Sequence, residues 1–251
     1  MNSFISWIGG KKALRKIILD QFPESGSFDR YIEVFGGAAW VLFGLEKSAN
    51  LEVYNDVNGE LVNLFRCIKY HPSAVQEELG WILMSREQFF RERDKDTKYM
   101  TDIQRAARFF VLIKESFGAD CNSFRVNSLD ISGAINYLSE VSKRLNKTVI
   151  ENLDFEHLIR TYDRDKALFY LDPPYYDAEK YYPDRFNPED HLRLKVVLDK
   201  IKGRFVLSYN DCPEIRELYK NYEIIGLERI NNLTAKTKQP KRYSEIIIKN
   251  Y

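Results

Sequence analysis

Apolar positions follow two rhythms along this chain. Near the start, Leu14, Ile17, Ile18 and Phe22 recur at helical spacing, which predicts an amphipathic helix closed by Pro23 and Gly26. Residues 30–35 (Arg-Tyr-Ile-Glu-Val-Phe) read as a strand and Gly36-Gly37 as a tight turn. Residues 38–47 read as a helix and 51–55 as a second strand. A strand–turn–helix–strand unit with short joints predicts the start of a parallel sheet. Runs at 148–151, 168–172 and 204–208 read as further strands, with helices at 189–201 and 213–219. Alternation at 223–229 and 245–249 predicts a closing hairpin. The fold expected is α/β, mostly parallel, with an antiparallel last strand.

Between residues 57 and 146 the texture changes to helical spacing with charged faces. Arg86, Arg91, Arg93, Lys95, Lys98, Arg105, Arg108 and Lys114 are scattered there among acids, and 117–127 is a polar stretch. We read 57–146 as a helical insertion carrying one exposed loop, set into a sheet-bearing domain made of 1–56 and 147–251. Residues 231–241 read as a basic loop.

Composition narrows the class. A chain of 251 residues with 44% hydrophobic and 30% charged residues suits one domain with a sizeable insertion. No apolar run approaches the roughly 18 residues of a membrane span, so no membrane partner is expected. The first residues lack the pattern of a secretory signal. Cys67, Cys121 and Cys212 lie far apart, which suggests reduced thiols and a cytoplasmic setting. Neither they nor His71, His157 and His191 make a metal-binding spacing, so no metal is expected. A net charge of +1 does not announce a polyanionic partner, although local basic patches can.

Two segments carry the chemistry. Residues 168–175 run Leu-Phe-Tyr-Leu-Asp-Pro-Pro-Tyr. The apolar run reads as a buried strand that must stop at Asp172, because prolines cannot continue a ladder. Ligands of open α/β sheets bind at that carboxyl edge. Asp172 and the carbonyl of Pro173 can accept both hydrogens of an exocyclic amino group, and Tyr175 can stack on its ring. An ordinary turn at Pro173-Pro174 has the same sequence. The second segment, Glu33-Val34-Phe35-Gly36-Gly37-Ala38-Ala39, places glycines between strand and helix, where a ligand can approach the backbone. At the end of the next strand Asp56 suits a pair of ribose hydroxyls. The glycine spacing is not that of a dinucleotide fingerprint. A nucleoside cofactor beside an amino-bearing ring is the arrangement of a transferase.

These residues resemble the Dam-type DNA adenine-N6 methyltransferases over almost the whole chain. Trp7-Ile8-Gly9-Gly10-Lys11 resembles the family's N-terminal cofactor motif, Phe35-Gly36-Gly37-Ala38 its glycine turn and Asn55-Asp56-Val57-Asn58 its ribose motif. Asp154-Phe155 resembles the pair whose acid contacts the cofactor adenine, and Asp172-Pro173-Pro174-Tyr175 the catalytic motif. The motif order is that of the family's α arrangement.

The resemblance implies a Rossmann-like class I methyltransferase sheet with 57–146 as its target-recognition insertion. It implies S-adenosylmethionine as cofactor and double-stranded DNA as partner, with the target adenine flipped out. Lys11 is then expected to face a cofactor carboxylate, and Trp7 to pack either on the cofactor or in the core. Arg125, with Asn127 beside it, is a candidate for a base contact or a surface cation, and Lys236 and Lys238 for phosphate contacts or a solvated loop. Two departures stand out. Ala39 replaces a glycine common in the family, and 116–127 only partly matches its recognition stretch, so no target sequence carries over. A cytosine-N4 enzyme and a relative that has lost catalysis are the alternatives. Pairing with a cognate restriction endonuclease and an orphan or phage role both stay open.

Overall fold

The computed structural model describes residues 1–45, 49–82, 85–126, 131–177, 186–230 and 242–251. Seven strands among them form one sheet: β1 (Arg30–Glu33), β2 (Leu51–Asn55), β3 (Thr148–Glu151), β4 (Ala167–Leu171), β5 (Arg204–Asn210), β6 (Glu223–Ile230) and β7 (Arg242–Lys249). Their order is β3-β2-β1-β4-β5-β7-β6. The first five are mutually parallel, and β7 runs antiparallel between β5 and β6. The order reverses between β1 and β4, which opens a crevice beyond their carboxyl ends.

The central strands are apolar at consecutive positions because both faces are covered. On β4, Leu168 and Tyr170 point into one core while Phe169 and Leu171 point into the other. The first core is filled by α2 (Gly59–Tyr70), α3 (Pro72–Gly80), α5 (Asp102–Glu115) and α6 (Ile131–Leu145), through Leu61, Val75, Phe110 and Leu138 among others. The second is filled by α7 (Phe155–Tyr162), α8 (Pro188–Leu198) and α9 (Pro213–Leu218), through Leu158, Leu194 and Ile215.

Segment 57–146 is therefore helical where described, but most of it is not an appendage. Phe65 of α2 stacks on Tyr54 of β2 at 4.1 Å, and the Arg144–Glu52 pair ties α6 to the same strand. Among the described residues α4 (Arg86–Asp94) puts no side chain into either core and packs on α5, while the loop after α5 sends Ala119 and Cys121 to the first core. That loop is closed by a bridge between Ser116 and Phe124, and Asp120 accepts from the backbone of Asn122 and Ser123.

One expected element differs. Residues 38–47 do not form a regular helix; within the described part, only Leu42–Gly44 make a short 3-10 turn. The backbone at Gly37 (φ 49°) and Ala39 (φ 55°) is left-handed, which an α-helix cannot accommodate. The buried Glu33 carboxylate accepts from the Leu42 N–H, holding the segment against the sheet edge. Near the start, α1 (Arg15–Leu19) is shorter than the apolar spacing predicts. The expected loop at 231–241 lies outside the described residues.

Candidate active site

The carboxyl ends of β1, β2 and β4 converge on a cavity of about 240 Å³. Its lining includes the glycine turn after β1, Asp56 after β2, the Asp-Pro-Pro-Tyr segment after β4 and the N-terminal Trp7–Lys11 loop. Asp154 and Phe155, which begin α7, line it as well.

The turn is built for a close approach. A Cβ on Gly36 would fall deep inside van der Waals contact with the Tyr54 ring and 2.8 Å from the Asn55 carbonyl oxygen. The Gly36 N–H donates to that same carbonyl at 2.7 Å. At Gly37, where φ is positive, a Cβ would sit 2.9 Å from Trp7 Cδ1. Gly10 closes a tight turn by donating to the Trp7 carbonyl at 3.0 Å. Trp7 thus spans both of the alternatives left by sequence: it lines the cavity and packs edge-on against Phe109 of α5. Ala39, where a glycine is common in the resembling family, is left-handed and fully buried, so the turn keeps a glycine-like conformation without the glycine.

Asp56 is oriented from two sides. Oδ2 accepts from the Gly37 N–H at 2.9 Å and Oδ1 from the Asn58 N–H at 2.8 Å. These two bonds fix the direction of the carboxylate. The rings of Phe35, Phe155 and Phe186 lie 5.7 to 5.9 Å apart and make an aromatic wall suited to a flat base.

Asp172 lies at the crevice with its side chain 17% exposed. Its Oδ1 is 2.7 Å from Lys11 Nζ and accepts from Ser208 Oγ at 2.9 Å. Burial pushes the carboxyl above its usual range, and the adjacent Lys11 pulls it back down. Lys11, expected to face a cofactor carboxylate, lines the cavity with its ammonium buried, paired with Asp172 and hydrogen-bonded to the Gly9 carbonyl. The same ammonium lies 4.8 Å from the centre of the Tyr175 ring. The Tyr175 hydroxyl donates to Glu245 Oε2 at 2.6 Å. Asn210, at the end of β5, accepts from the Tyr176 N–H and donates to the Tyr176 carbonyl, in the manner of a neighbouring strand. The motif is thereby clamped from β5 and β7.

Glu33 lines the same cavity. It is fully enclosed, accepts from Tyr31 Oη and the Leu42 N–H at 2.7 Å each, and burial pushes its carboxyl up to about 8. Phe186, Glu245 and Arg193 are absent from the motif reading of the sequence; only tertiary packing brings Phe186 to the cavity, Glu245 to Tyr175 and Arg193 to Asp154.

Asp154 lines the cavity but is not idle. It caps α7 through the Glu156 N–H at 3.0 Å, and it meets Arg193 in a fork at 2.7 and 3.2 Å. Arg125 is half-buried in the loop after α5, against that helix's last turn: its backbone N–H donates to the Glu115 carbonyl at 2.7 Å and its Nη2 reaches the Lys114 carbonyl at 3.5 Å. Asn127, Lys236 and Lys238 lie outside the described residues. Among the described residues no cluster of His, Cys, Asp and Glu has the makings of a metal site, and no helix is long and apolar enough to cross a membrane.

Comparison with known proteins agrees with this geometry. The chain is 29% identical to the type II methyltransferase M1.LlaDCHI of Lactococcus lactis subsp. cremoris, over an alignment that takes in all of the chain and 96% of the relative. It is 26% identical to the type II methyltransferase M.CviBI of Paramecium bursaria Chlorella virus NC1A, with both chains covered in full. The family model described as D12 class N6 adenine-specific DNA methyltransferase matches residues 7–233. With the glycine turn, Asp56 and Asp-Pro-Pro-Tyr gathered at one sheet edge, the chain belongs to the D12 class of N6 adenine-specific DNA methyltransferases.

Proposed function

We propose that this chain methylates N6 of an adenine flipped out of double-stranded DNA, at sites of one defined sequence, with S-adenosylmethionine as donor. The observation that carries the reading is the placement of Asp172 in the same cavity as the glycine turn and Asp56. That juxtaposition puts an amino-group acceptor beside a nucleoside-shaped site. The residues fit such a cofactor. Gly36 and Gly37 line the cavity with bare backbone, Asp56 presents a fixed carboxylate to ribose hydroxyls, and the Phe35–Phe155–Phe186 wall takes the adenine. Bound there, the cofactor supplies a methyl group activated by its sulfonium.

The chain's own residues do the rest. The target amino group is paired inside a duplex, so the base must leave the stack to reach the cavity. Asp172 and the Pro173 carbonyl then accept from N6, hold its lone pair out of conjugation with the ring and aim it at the methyl group. Asp172 also offers a negative charge where positive charge develops on N6. Ser208 and Lys11 hold Asp172 in place. Tyr175 stacks on the base, its ring steadied by the bond to Glu245.

For the DNA we propose α4 and the exposed side of the loop after α5. Arg86, Arg91, Lys95 and Lys98 are exposed on and just after α4, Arg86 lies over the Phe124 ring at 5.0 Å, and Phe117 is 62% exposed on the adjoining loop. Cations interleaved with aromatics suit phosphates and unstacked bases. Arg125 is our choice for a base contact, with Asn127 beside it, and Lys236 and Lys238 for phosphates.

Replacing Asp172 by alanine tests the assignment. Methyl transfer should fall by several orders of magnitude while S-adenosylmethionine still binds. Turnover at the normal rate would remove Asp172 from the mechanism.

A further inference from the structure

We infer that Arg193 is a positioning residue that sets the cavity's preference for a 6-aminopurine over a 6-oxopurine, acting through Asp154. The inference rests on reading this cavity as the cofactor site.

Arg193 lies on α8, away from every motif of the sequence, yet its guanidinium is directed at the start of α7. Nη2 and Nη1 stand 2.7 and 3.2 Å from the two oxygens of Asp154. Nε stands 2.9 Å from Asp190, and Nη1 is 3.7 Å from Glu156. The guanidinium carbon is 4.1 Å from the centre of the Phe155 ring, which places the cation on the same ring that lines the cavity. One side chain therefore fixes both the carboxylate and the aromatic surface that would meet the adenine.

The chemistry follows from the acceptor count. Asp154 Oδ1 takes the Glu156 N–H and Arg193 Nη1, and Oδ2 takes Arg193 Nη2. Acceptor capacity is left on Oδ2. A carboxylate held in that direction matches the amino group at position 6 of adenine. It opposes the carbonyl of hypoxanthine, which presents an acceptor to an acceptor. A site built around one such bond rejects the analogue that lacks the donor far more strongly than it loses affinity elsewhere. Without Arg193, Asp154 keeps only its capping bond and faces the charges of Asp190 and Glu156, so its direction is no longer set.

The test is calorimetric titration of the full chain with S-adenosylhomocysteine and with S-inosylhomocysteine, its hypoxanthine counterpart. The wild-type chain should favour the adenine compound by about ten-fold or more. Arg193→Ala should bring that ratio toward one. Arg193→Lys keeps the charge but not the fork and should fall between. Because α7 and α8 meet through this arginine, Arg193→Lys and Asp154→Ala serve where Arg193→Ala does not fold, and Asp154→Ala should also lose the preference. If Arg193→Lys and Arg193→Ala weaken both compounds equally and leave the ratio intact, Arg193 merely ties two helices together and the inference is overturned. If the wild-type chain binds neither compound, it is the cofactor reading itself that fails.

Discussion

Replacing Lys11 by methionine removes the cation paired with Asp172 and keeps most of its volume. The two charges stand 2.7 Å apart, with the lysine almost fully buried. At that separation Coulomb's law gives about 1.5 kcal/mol in a water-like dielectric and about 6 kcal/mol at an effective value of about 20. At about 1.36 kcal/mol per pH unit, the carboxyl should climb by roughly one to four units when the cation is lost. Burial already holds it above its ordinary range, so the shift adds to an existing one. The ionised carboxylate accepts from the amino group of the target more strongly than the neutral acid does, and only it offers the charge that offsets positive charge developing on N6. The acidic limb of the methyl-transfer rate should therefore move to higher pH by at least about one unit. The assay is single-turnover transfer to saturating DNA between pH 5 and 9, for wild type and Lys11→Met. The variant should lose most at the acid end and recover as pH rises. An acidic limb that stays in place, with an unchanged plateau, would refute the idea that Lys11 acts through Asp172.

Three further outcomes are expected. Glu33 has its carboxyl pushed up to about 8 by burial, so it contributes stability when protonated and that contribution is lost as pH rises from about 4.5 to about 8. Glu33→Gln should flatten the fall in urea-unfolding stability across that window by roughly a few kcal/mol, and an equally steep fall would remove Glu33 as its source. Gly36→Ala would press a methyl group into the buried Tyr54 ring and should lower stability by about 3 kcal/mol or more, with loss of cofactor binding; a Tm within a degree of wild type would contradict the packing argument. Replacing both Lys236 and Lys238 by alanine should weaken DNA binding and flatten the slope of log K against log salt by up to about two; an unchanged slope would assign both lysines to a solvated loop.

The sheet was legible because its strands are buried on both faces and end in residues that cannot continue a ladder. β4 ends at Leu171, just ahead of Asp172-Pro173-Pro174, and β1 ends at Glu33, just ahead of the glycine turn, so both ends fall at the site. Asp56 was legible for the same reason, one strand over. The helix expected at 38–47 failed where a local apolar rhythm met a backbone bent left-handed at Gly37 and Ala39. Periodicity records which face is buried, and the buried face here is served by a turn.

The supporting residues stayed hidden for another reason. Glu245 reaches the motif only through the pairing of β7 with β5, and Arg193 only through the contact of α8 with α7. Lys11 was found by motif, but its partner was not, because nothing in Trp-Ile-Gly-Gly-Lys says which carboxylate it will meet. The boundary of the helical segment was likewise invisible. Charged faces mark α2 and α6 as surface helices, while their apolar sides are what cover the sheet.

The central claim is most directly tested by incubating the wild-type chain with unmethylated DNA and S-adenosylmethionine carrying a tritiated methyl group, then digesting the DNA to nucleosides. The label should appear in N6-methyladenine, confined to one sequence when the product is mapped. Label in N4-methylcytosine, or none in DNA while the cofactor remains bound, would contradict it.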